Sequence, residues 1–111
     1  MKAPIFVDYS GDLNLFKTIE AAEGYVEAYD IAACKAYDSE GRLLSIAPAP
    51  KFSFRRDVVL KPAEELPTHG DQLRTTLIRW LTAVGESPDA LEPMALSDLV
   101  AVAVRRDGKR R

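Results

Sequence analysis

The 111-residue chain predicts an α+β domain. It reads as an antiparallel sheet of four to five strands, ββα followed by a β meander, covered by helices on one face, with two of the helices at the C-terminus. Three observations lead there. Short apolar runs with a period of two fill the N-terminal half, and clusters of Gly, Asp, Ser and Pro separate them. From Pro67 onward the apolar spacing changes to three and four. A chain this short supports one core, so residues 1–111 read as a single domain ending in a basic tail at 105–111.

In "PIFVDYSGDLNLF", Ile5, Val7 and Tyr9 alternate with Phe6 and Asp8. Ser10-Gly11-Asp12 then marks a turn, and Leu13 and Leu15 resume the alternation, which makes a strand pair. Thr18 fits an N-cap, Glu20 suits the positive end of a helix dipole, and Ile19, Ala22, Val26 and Tyr29 recur at spacings of three and four. The spacing predicts a helix over 19–29, weakened by about 1 kcal/mol at Gly24.

"ACKAY" and "RLLSI" read as two strands joined by Asp38-Ser39-Glu40-Gly41, where Asp38 accepts from amides two residues on and Gly41 takes a left-handed turn conformation. The stretch "YDSEGRLL" resembles one YD-repeat unit of the large Rhs-type toxin shells. Only one copy is present, and a lone repeat has no neighbour to stack on, so turn chemistry accounts for it. Pro48 and Pro50 interrupt pairing, and "KFSF" with "DVVLKP" supplies one or two further strands bent at Arg55-Arg56.

Thr68 and Asp71 have the spacing of a capping box, and Leu73, Leu77, Trp80, Leu81 and Val84 form an apolar stripe ended by Gly85. "GESPDALEP" is a loop or one short helical turn. "VAVAV" alternates as a strand does, yet Ser97-Asp98 signals a cap and Arg-Arg-Asp-Gly a stop. A last helix with Leu99, Val100 and Ala103 inward is therefore preferred, its Arg105 and Arg106 at the end that favours cations.

A net charge of −2 and a pI near 5.4 argue against direct nucleic-acid binding, which needs clustered cations. The charge is uneven. Residues 1–50 carry four basic and eight acidic side chains, whereas 105–111 carry five basic and one acidic. That tail reads either as a frayed helix end or as an arm for an acidic partner. The single cysteine, Cys34, forms no internal disulfide, and the N-terminal apolar run is too short for a signal core or a membrane span. A cytoplasmic protein without a membrane partner is expected.

Catalytic signals are weak. His69, the only histidine, sits at a helix entrance beside Asp71. Cys34 and His69 lie 35 positions apart, which is no metal-ligand spacing, and the glycines fall singly rather than in a phosphate-binding loop. No metal, no cofactor and no enzymatic activity are expected.

One constellation stands out. On a helix over 19–29 and just beyond it, Glu20, Glu23, Glu27 and Asp30 fall within an arc of about 80°, with no Lys or Arg between Thr18 and Cys34. The ridge is either a solvated face or a docking surface for a basic partner, lined by tyrosines such as Tyr25, Tyr29 and Tyr37 that equally suit packing beneath it.

The sequence of "IFV" and "GDL" strands, a "T-x-E-x-A-E-x-Y-x-E-x-x-D" helix, the "YDSEGRLL" hairpin and "L-x-x-x-L" helices resembles small bacterial immunity proteins of polymorphic toxin systems. The resemblance implies a protein that binds a cognate toxin or effector domain, a basic one if the ridge is used, and occludes its active site. The partner-binding residues expected are Glu20, Glu23, Glu27, Asp30, Tyr25 and Tyr37. An adaptor or secretion chaperone that binds without inhibiting is the alternative, and a small enzyme using His69 with a nearby carboxylate is the third reading.

Overall fold

The computed structural model describes residues 1–50 and 56–110. Five strands form one antiparallel sheet: β1 (Ile5–Tyr9), β2 (Asp12–Phe16), β3 (Cys34–Tyr37), β4 (Leu43–Pro48) and β5 (Val58–Pro62), in the order β2-β1-β3-β4-β5. The β1–β2 turn has positive φ at both Ser10 (52°) and Gly11 (97°), the tight hairpin that matches strand twist, and Asp8 Oδ1 accepts the Gly11 N–H at 2.8 Å. "DVVLKP" supplies β5, whereas the predicted "KFSF" strand lies outside the described residues.

Helices cover both faces of the sheet, not one. Phe6, Leu13 and Tyr37 pack against α2 (Gly70–Ala83), α3 (Pro88–Leu91) and α4 (Leu96–Arg110). Ile5, Val7, Ala36, Leu44, Val58 and Leu60 pack against Ala22 and Val26, from α1 (Ile19–Tyr25) and its C-cap. The cause is visible in β1. "IFV" is apolar at three consecutive positions, so both pleat faces need cover, as in a strand at the centre of a layered sheet.

α1 contacts β1 and both edge strands, β2 and β5. The helix stops at Tyr25 rather than continuing to 29: Val26 is extended (φ −81°, ψ 130°) and buried. A 3-10 helix, Ala28–Ala33, follows and leads into β3. Gly24, the lack of a cation in the last turn and a run of like charges leave little to hold the helix beyond the point where Val26 enters the core. Nothing lies within 4 Å of a Cβ built on Gly24, so Gly24→Ala is expected to stabilise by about 0.5–1 kcal/mol in urea denaturation.

α2 buries Leu73, Leu77 and Leu81 as the stripe predicts, with Trp80 and Val84 half-buried. α4 is a helix that buries Leu99, Val100, Val102 and Ala103 and runs past the expected stop to Arg110. The basic tail is thus helical through Arg110, and Arg106 Nε donates to Glu86 Oε1 at 3.1 Å. Arg74 donates to the Glu92 and Met94 carbonyls, tying α2 to the loop after α3. No helix among the described residues is long and apolar enough to cross a membrane.

Candidate functional site

Glu23 does not sit on an exposed ridge. It is 3% exposed; its Oε2 accepts the Leu60 N–H at 2.8 Å and its Oε1 accepts from Arg56 Nη1 at 2.9 Å. Leu60 lies on the edge strand β5. Backbone bonds from Ala49 to the Asp57 carbonyl and from Ala63 to the Leu43 carbonyl turn the odd-numbered residues of β5 toward β4. The Leu60 N–H therefore points off the sheet, where Glu23 caps it, and Pro62, two residues on, has no N–H to offer. Glu23 and Pro62 thus blunt this edge against further pairing.

Tyr37 also leaves the predicted surface. It is 4% exposed and packs on the α2 side of the sheet, opposite α1. Period two decides this: Tyr37 pairs with Phe6, whose neighbours Ile5 and Val7 face the other way. Of the six expected partner-binding residues, Glu20, Tyr25 and Glu27 are exposed and Asp30 is half-buried. Because α1 ends at Tyr25, Glu27 and Asp30 belong to the 3-10 segment and its approach, not to one helical ridge.

What remains is a different surface with related chemistry. Tyr29, in the 3-10 segment, is 81% exposed, and Tyr25 is 44% exposed. The Tyr25 ring meets Tyr9 edge-on at 6.0 Å and Phe16 at 5.1 Å, so it is held in place while still open to solvent. Asp57 Oδ2 accepts the Ala28 N–H at 3.3 Å and adds a carboxylate beside the 3-10 segment. Arg56, next to Asp57 in the chain, is engaged by Glu23. An acidic, tyrosine-bearing surface thus surrounds the end of α1.

Nucleophilic chemistry finds little footing in Cys34. Burial, and then the nearby Asp30 and Asp8 charges, push its thiol up from 9.0, which disfavours the thiolate.

His69 pairs with Glu64 rather than with Asp71: Nδ1 lies 3.0 Å from Oε1 and 3.1 Å from Oε2. A carboxylate only accepts, so Nδ1 carries the proton. Glu64 also accepts from the Thr68 hydroxyl, the Thr68 N–H (2.9 Å) and the Leu43 N–H (2.9 Å). Thr68 is therefore not the cap of α2; the cap position is His69, which makes no side-chain cap bond. The cluster clamps the start of β4 to the entrance of α2, and the His69 N–H adds a bond to the Gly41 carbonyl at 2.9 Å. Among the described residues no group of three or more His, Cys, Asp or Glu is placed to hold a metal ion.

The clamp has a pH signature. The Thr68 hydroxyl first, then the Thr68 and Leu43 amides and His69, hold the Glu64 carboxyl down to about 2 from 4.5. A depressed folded value makes the contribution fully present above the ordinary value, and it is lost as pH falls from about 4.5 toward 2. The melting-temperature gap between wild type and Glu64→Gln is expected to shrink steadily over that window. A gap that stays constant would contradict the assignment.

No family model matches the sequence, and no curated protein or solved structure matches it.

Proposed function

We propose that this domain is an immunity-type binding protein that neutralises a cognate basic toxin or effector domain. It docks through the surface formed by the end of α1 and the 3-10 segment and occludes the active site of its partner. The observation that carries the reading is Tyr29: an aromatic ring 81% exposed, flanked in sequence by Glu27 and Asp30, in a stretch from Thr18 to Cys34 that contains no cation. Exposed aromatics with a polar tip are preferred anchors at interfaces, and fixed carboxylates around one speed encounter with a basic surface. Tyr25 and Glu20 extend the contact; Glu23 supports it from within through β5.

The test uses the toxin domain encoded beside this gene, mixed with the purified protein at micromolar concentration. A complex should form and toxicity should be lost. Tyr29→Ala is expected to weaken binding by about 10- to 100-fold. Glu27→Lys with Asp30→Lys is expected to slow association by about tenfold at low salt, with the difference fading at high salt. Absence of a complex would refute the proposal, and a complex that leaves toxicity intact would turn it into an adaptor.

A further inference from the structure

We propose that the cleft between α2 and strands β1 and β3 receives an extended peptide segment of mixed charge. The segment carries one basic and one acidic side chain about three to four residues apart. The site lies on the face of the sheet opposite the tyrosine surface and does not rest on the toxin-neutralising reading.

The cleft, of about 460 Å³, is lined by Asp8, Lys35 and Tyr37 from the sheet and by Asp71, Gln72, Thr75, Thr76 and Arg79 from α2. Tyr37 is the first observation that points to a ligand. The residue is 96% buried (4% exposed), yet its hydroxyl makes no hydrogen bond among the described residues and is not sealed from the cleft that it lines. Burial and the Asp8 charge keep it protonated, so it presents a donor. Four charged side chains are the second. Asp8, Lys35, Asp71 and Arg79 line the same space, and none is in an ion pair with another or with any described residue.

Their arrangement defines the ligand. Asp71 and Arg79 stand eight residues apart on α2, about 12 Å along its axis. Lys35 lies across from Asp8 in the β1–β3 register, whereas Tyr37 lies toward the hairpin whose Gly41 carbonyl bonds to His69 at the start of α2. Tyr37 and Asp71 thus share one end, and Lys35, Asp8 and Arg79 share the other. The first end is negative and the second carries one net positive charge.

A single amino acid is too short to bridge about 12 Å, whereas an extended chain rising about 3.3 Å per residue spans it in three to four residues. Gln72 and Thr75 offer polar groups to the peptide backbone between the poles. Small-molecule sites are enclosed and mostly apolar; this cleft is open and polar, which fits a segment of a larger partner.

The test titrates the isotopically labelled full chain with acetyl-Lys-Ser-Thr-Ser-Glu-amide and follows backbone amide shifts. Saturable shifts clustered at Lys35, Tyr37, Gln72 and Thr75 are expected, with acetyl-Gln-Ser-Thr-Ser-Gln-amide at least about tenfold weaker. Tyr37→Phe should leave the melting temperature close to wild type and weaken the charged peptide about three- to tenfold. Arg79→Glu should weaken it about tenfold or more and favour acetyl-Lys-Ser-Thr-Ser-Lys-amide instead. Equal responses to the charged and neutral peptides, shifts confined to other surfaces, or the same shifts from free lysine or free glutamate would each overturn the proposal.

Discussion

Replacing Gly41 by alanine is expected to destabilise the protein by on the order of 3–5 kcal/mol, a large share of a typical domain's stability. Two costs add. Gly41 has φ +85°, which a Cβ disfavours by about 1–2 kcal/mol. The added Cβ would also lie 2.4 Å from the Gly70 Cα and 2.6 Å from the Gly70 N. Those atoms are backbone, so no rotamer change relieves the clash; the hairpin must lift off α2, taking with it the His69-to-Gly41 bond and the Glu64 clamp on Leu43. Gly11→Ala provides the control. Its φ is +97° with nothing within 4 Å, so only the conformational cost of about 1–2 kcal/mol applies. Gly41→Asn separates the two costs at one site, since Asn tolerates positive φ but still carries a Cβ. Equal denaturation midpoints for Gly41→Ala and Gly11→Ala would show that the Gly41–Gly70 approach does not matter.

Glu23→Ala is expected to cost about 2–4 kcal/mol, and Glu23→Gln only about 1 kcal/mol. Alanine leaves the Leu60 N–H without its acceptor and opens a void beneath β5, whereas glutamine keeps an acceptor oxygen within reach. The loss stays below that of a fully buried broken pair because Arg56, with a side chain 42% exposed, is rehydrated once released. Alanine also reopens the edge of β5, so faster aggregation near the denaturation midpoint should accompany the lower stability. The same pair of variants tests the position of the docking surface. Glu23→Gln should leave the on-rate for a basic partner unchanged, in contrast to Glu27→Lys with Asp30→Lys, which slows it. A cost below about 1 kcal/mol for Glu23→Ala would contradict the edge-capping role.

Local chemistry was readable wherever the residues that act are neighbours in the chain. Ser10-Gly11 closes the first hairpin, and Asp38 Oδ1 accepts from the Glu40 and Arg42 amides at 2.9 Å, bonds that depend on spacings of two and four. The α2 stripe lies on the face its spacing indicates, since a helix buries whatever recurs at three and four. The candidate surface was only half readable. Its acidity is a property of composition, but periodicity treated Glu20, Glu23, Glu27 and Asp30 as one ridge, which holds only while the helix continues. The exposure of Tyr29 and the Glu64–His69 contact left no pattern in the sequence, because each depends on how α1 and the loop before α2 settle against the sheet.

By itself the sequence determined an antiparallel α+β fold, its two hairpin turns, the last long helices and an acidic stretch without cations, because each follows from contacts within a few residues. Tertiary structure alone decided that helices cover both faces, that Glu23 caps an edge strand and that Tyr37 opens into a cleft whose charged side chains make no ion pair among the described residues. Those outcomes join residues as far apart as Glu23 and Leu60. Such contacts are fixed by which face of the sheet each side chain meets, and that geometry exists only once the whole core has closed.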